Sequence, residues 1–162
     1  MIERYIVVAS RIRQELKSIE QVVNRAERAV VAARQQPKER DLLLDSAALN
    51  LHDFYAGIER IFRYIATNLD QNVPSGHEWH RELLRQMSIA LPKIRPQVIK
   101  EETLKTIDEF LRFRHVVQNI YALEFDPERI ERLVQSLRPA FNQVRSELVA
   151  FADFLDKLAE TE

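Results

Sequence analysis

Apolar residues return every three or four positions along two long stretches of this chain. The first set is Ile2, Ile6, Ile12, Leu16, Ile19, Val23, Ala26 and Val30, and the second is Leu44, Ala48, Leu51, Tyr55, Ile58, Phe62, Ile65 and Leu69. That period matches the turn of an α-helix and not the two-residue alternation of a strand. Each stripe must bury itself against another element, which commits the chain to helix-on-helix packing. Glycine usage agrees, because Gly57 and Gly76 are too few for the turns of a strand-rich fold.

Helix 1 is expected over about 2–34, ending at "RQQPKER", where Pro37 removes a backbone donor and suits the first turn of the next helix. Helix 2 is expected from about 38 to 70, antiparallel to helix 1 across so short a turn. The segment "DQNVPSGHEWH" reads as a loop, and Ser75 with Glu78 has the spacing of a capping box that would open helix 3 at about 76–91. Pro92 and Pro96 should hold "LPKIRPQVI" extended, because each disfavours helix in the residue before it. Helix 4 is expected over about 101–121. Asp126-Pro127-Glu128 then supplies an N-cap, a first-position proline and a dipole-matched acid for helix 5, from 127 to about 160 with a bend near Pro139. The expected fold class is all-α, an up-and-down four-helix bundle with an additional short helix, as a single domain over residues 1–162.

Composition narrows the chemistry. The 162 residues hold no cysteine, which rules out disulfides, thiolate metal sites and a cysteine nucleophile. Glu3, Arg4 and Arg11 break up the apolar residues of the N-terminus, and no apolar run is long enough to span a bilayer, so a cytoplasmic protein without membrane contact is expected. The formal net charge of -1 gives no global pull towards polyanions. Its distribution is uneven: residues 81–100 carry Arg81, Arg85, Lys93, Arg95 and Lys100 against Glu82 alone, whereas 146–162 are acidic. Either run reads first as a solvated helix face.

Most motifs of catalysis are missing. There is no phosphate-binding glycine loop and no serine elbow. "HEWHRE" brings His77, Glu78, His80 and Glu82 together without matching a zinc or di-iron spacing, and capping with surface hydrogen bonding is the simpler account. Trp79 is expected to pack between helices, and His52, on an apolar helix, is assigned no role.

"RFRHVVQNIY" (112–121) is different, because it is too polar for a fully packed bundle helix. On a helical wheel Arg114, Gln118 and Tyr121 fall at about 0, 40 and 340°, and Arg112, His115 and Asn119 at about 160, 100 and 140°. Such a set faces solvent or lines a groove. Arginines can bind phosphate, an imidazole can move a proton near neutral pH, and asparagine and tyrosine can orient a substrate. That combination suits phosphodiester cleavage by a ribose 2′-hydroxyl without a metal or other cofactor, although spacing alone favours an interface or a solvated face.

The segment resembles the Arg-x4-6-His signature of HEPN domains, and more closely the Arg-x4-His-x-Tyr motif of HepT-like toxins. Arg114 stands at the motif arginine, Tyr121 at its tyrosine, and Asn119 where the motif has histidine. "WHRELLRQM" (79–87), "RPQVIKEET" (95–103) and "FRHVVQNIYALEFD" (113–126) are similar to one HepT-like subgroup, and the likeness covers about 40–135. The resemblance implies a helical homodimer with two motifs facing one RNA-binding cleft. It also implies metal-independent ribonuclease activity, and neutralisation by a minimal nucleotidyltransferase antitoxin that in some members adenylylates the motif tyrosine.

Carried over by position, Arg114 stabilises phosphate charge, and Tyr121 is the candidate for adenylylation or RNA contact. Arg112 and Gln118 are expected to bind RNA. An amide cannot exchange a proton at neutral pH, so His115, one turn before Asn119, is expected to take the acid–base role while Asn119 positions phosphate or ribose. The opposing expectation is a catalytically degenerate subunit that binds RNA or the nucleotidyltransferase without cutting.

Overall fold

The structure is a computed structural model that describes residues 1–119 and 126–161, the side chains of 116–119 excepted. Its helices are α1 (Ile2–Gln35), α2 (Arg40–Ile65), α3 (Trp79–Met87), α4 (Glu101–Asn119) and α5 (Pro127–Thr161). A 3₁₀ turn at Pro37–Glu39 joins α1 to α2, and a π-helical turn at Ala66–Asp70 ends α2. The all-α bundle expected from the apolar period is what forms, consistent with the HEPN-like bundle that the resemblance implies.

Contacts between the long helices give their directions. Glu15 lies against Arg60 and Arg11 over the Tyr64 ring, so α1 and α2 run antiparallel. Arg13 pairs with Asp153 and Asp156, and farther along α1 Glu27 pairs with Arg138, so α1 and α5 are antiparallel too. Gly57 lets α1 and α2 approach closely: a Cβ there would sit 2.7 Å from Ile19 Cγ1. Phe54 and Phe110 meet edge to face at 5.1 Å and fix α4 on α2.

The N-terminus of α4 is capped from another helix. The Glu147 carboxylate of α5 accepts from the Lys100 backbone N–H and from the buried Thr103 hydroxyl, both at 2.5 Å. A negative charge at the positive end of the helix is favourable. Asp126 caps α5 as expected, its carboxylate accepting from the Glu128 N–H at 3.0 Å. Pro139 lies inside α5.

Three local expectations are corrected. Helix 3 begins at Trp79 with Glu78 at the N-cap and no side-chain capping bond, so the Ser75–Glu78 capping box does not form. Gly76 explains why, because its φ of 97° lies outside the helical region. The helix ends at Met87, whose carbonyl accepts from both Val98 and Ile99 N–H groups and folds the following segment back. That segment is not extended, since Leu91 and Arg95 exchange backbone bonds at 3.0 Å around Lys93 at φ 71°.

Arg95 is the reason for this turn. Its side chain is 0% exposed, and it donates to Asp70 Oδ1 at 2.6 Å and Oδ2 at 2.8 Å and to the carbonyls of Gln86, Ile89 and Pro96. Asp70 stands on the π-helical turn, so one ion pair ties the end of α2 to the end of α3. It also removes Arg95 from the exposed basic run that the sequence suggested.

Candidate active site between α2, α3 and α4

Glu59 sits among apolar neighbours on α2, where an ionised carboxylate needs partners. It has two. The buried Tyr55 hydroxyl, one turn earlier, donates to it, and His80 Nδ1 on α3 lies 2.5 Å from its Oε2. Burial first, and then the charge of Glu59, push the Tyr55 phenol well above its ordinary range. The side chains of His80 and Glu59 are 14% and 10% exposed, so this pair is largely withdrawn from water. The surface-capping account of "HEWHRE" is therefore overturned for His80, because the fold carries it to a carboxylate 21 positions away.

The hydrogen bonds assign the tautomer. With Nδ1–H donating to Glu59, the lone pair of a neutral ring is at Nε2. Arg114 Nη1 on α4 lies 3.5 Å from that atom, at the long limit of a hydrogen bond. Arg114 Nε is buried and has no hydrogen-bond partner among the described residues. The Trp79 ring lies against the His80 ring at 3.6 Å and 31°, and Arg63 lies over the Trp79 ring at 5.1 Å. Trp79 is half-buried against the core between helices, as expected.

His115 is exposed, and its ring meets that of His80 edge to face at 5.9 Å. The structure thus brings Arg114 and His115 together around His80. Arg112 lies elsewhere: it pairs with Asp108 at 3.0 Å and lines a shallow groove of about 450 Å³ with Glu109, Arg129 and Arg132. The side chains of Gln118 and Asn119, and Tyr121 as a whole, lie outside the described residues, as does the expected end of helix 4 at 121. His52 is partly buried with Nδ1 3.3 Å from Asp53, apart from this cluster. Among the described residues, no three histidine or carboxylate side chains gather as a metal-binding group.

Comparison with known proteins bears on what these groups serve. A family model described as HepT-like protein matches residues 46–155, which takes in Glu59, His80, Arg114 and the whole polar stretch of α4. The chain belongs to the HepT-like family. No curated protein and no solved structure gives a match. No helix among the described residues is long and apolar enough to cross a membrane.

Proposed function

We propose that this HepT-like chain is a toxin-like, metal-independent ribonuclease, paired with a minimal nucleotidyltransferase that neutralises it. The observation that carries the proposal is the contact of Arg114 with His80 Nε2, flanked by His115. A fixed cation beside imidazoles can hold a phosphate and move the protons of a transesterification. Arg114 stabilises the charge on the phosphorane, His115 exchanges a proton, and Asn119 positions the phosphate or ribose. Gln118 and the arginines of the α4–α5 groove, Arg112, Arg129 and Arg132, bind the RNA backbone on either side. By resemblance, two copies face each other across the RNA, and Tyr121 is the residue the partner adenylylates.

A second reading rests on Asn119 itself. An amide at the motif-histidine position fits a catalytically degenerate subunit that binds RNA or the nucleotidyltransferase. Expression with and without the neighbouring nucleotidyltransferase separates the two. The ribonuclease reading expects growth arrest and loss of cellular RNA that the partner relieves; normal growth, with the two proteins co-purifying, favours the binding subunit.

A further inference from the structure

The polar stretch of α4 leaves open where the proton of the attacking hydroxyl goes, because the motif position holds an amide. Resting on the ribonuclease reading above, the geometry points to His80, outside the motif, as the general base, with Glu59 as the residue that positions it. We infer this from the Glu59–His80–Arg114 arrangement between α2, α3 and α4.

Three observations meet at His80. Its Nδ1 is tied to Glu59 at 2.5 Å, which leaves Nε2 as the basic nitrogen and fixes the ring plane. Glu59 also neighbours the buried Tyr55 hydroxyl, a second group that can donate to it. And Nε2 faces Arg114 Nη1 at 3.5 Å, so the atom that would take a proton adjoins the cation that would take phosphate charge. His115, by contrast, is exposed and has no hydrogen-bond partner among the described residues. Nothing described orients it as a base.

The ribose 2′-hydroxyl gives its proton to His80 Nε2 while O2′ bonds to phosphorus. Negative charge on the phosphoryl oxygens is met by Arg114. The bond from phosphorus to O5′ breaks, and O5′ takes a proton from His115 in its protonated form. The products are a 2′,3′-cyclic phosphate and a 5′-hydroxyl end, with no oxidant, reductant or metal consumed. Glu59 does not touch the RNA.

Single-turnover cleavage of a labelled RNA by the full chain tests the assignment. His80→Ala should slow cleavage about 10²- to 10⁴-fold, the range of general acid–base catalysis, keep its affinity for RNA, and recover part of the rate in added imidazole. Glu59→Gln should lower the rate at saturating RNA more than it weakens binding. If His80→Ala cleaves at the wild-type rate while Arg114→Ala is inactive, the ribonuclease reading survives and His80 is not the base. If the wild-type chain does not cleave at all, the reading falls and this inference with it. Should His80→Ala not fold, nitrogen-15 NMR of the wild type decides: a His80 ring protonated at Nδ1 and free at Nε2 supports the assignment, and the opposite tautomer overturns it.

Discussion

Glu59 Oε2 and His80 Nδ1 lie 2.5 Å apart although one belongs to the C-terminal half of α2 and the other to the first turn of α3. The carboxylate turns an exposed-looking histidine of the loop-helix junction into an oriented group. It also sets the ring nitrogen that Arg114 approaches from α4. The position of α3 therefore governs the site as much as the polar stretch of α4 does.

Leu83, Leu84 and Met87 of α3 pack in the core, and the turn that follows α3 is anchored by the Arg95–Asp70 pair. Both side chains are 0% exposed, and Arg95 donates to the carboxylate and to three carbonyls. Removing one partner of a buried pair strands the other charge, which costs about 3–5 kcal/mol. Arg95→Ala should lose that much stability in urea denaturation, and the surviving folded fraction should show reduced His80 tautomer order by NMR. A variant as stable as wild type would show that the pair does not anchor the turn.

Tyr55 makes stability sensitive to alkali. Its phenol is pushed above the ordinary value of 10.0 in the folded chain by burial and by Glu59, so only the unfolded chain loses this proton near pH 10. Above that pH the unfolded state binds fewer protons, and stability falls by roughly 1.4 kcal/mol per pH unit from this residue. Tyr55→Phe should therefore show a shallower loss between pH 10 and pH 12, whatever its stability at neutral pH. Equal slopes would contradict the burial of the Tyr55 phenol beside Glu59.

Gly57 tests the closeness of α1 and α2. Alanine is the better helix former, yet its Cβ would meet Ile19 Cγ1 at 2.7 Å. Overpacking should win, so Gly57→Ala should destabilise by about 1–3 kcal/mol. In an Ile19→Ala background the same change should cost less, since the obstructing atoms are gone. A Gly57→Ala cost that is unchanged by Ile19→Ala would place the strain elsewhere.

The long helices were legible because their stripes repeat with the helical period, and the ends of α1 and α5 because Pro37 and Asp126-Pro127 act locally. Helix 3 was placed early because the Ser75–Glu78 spacing suits a cap, while Gly76 takes a φ no helix accepts. Arg114 and His115 could be found from one stretch of sequence. Glu59 and His80 could not, because their pairing spans two helices. The available signal was a glutamate on the apolar stripe of helix 2, one turn after Tyr55: a buried acid implies a hidden partner. The basic run misled at Arg95 because composition counts a charge without showing whether it is already paired.

In the proposed ribonuclease, Arg114 anchors the phosphate of the RNA-cleaving site. The most direct measurement is cleavage of an end-labelled RNA in EDTA by the purified wild-type chain and by a folded Arg114→Ala variant, with the product ends identified. The wild-type chain should cleave to 2′,3′-cyclic phosphate and 5′-hydroxyl ends, and the variant should lose about 10²-fold or more in rate, as for other groups that stabilise transition-state charge. Undiminished cleavage by Arg114→Ala, or wild-type cleavage that stops in EDTA, would contradict it.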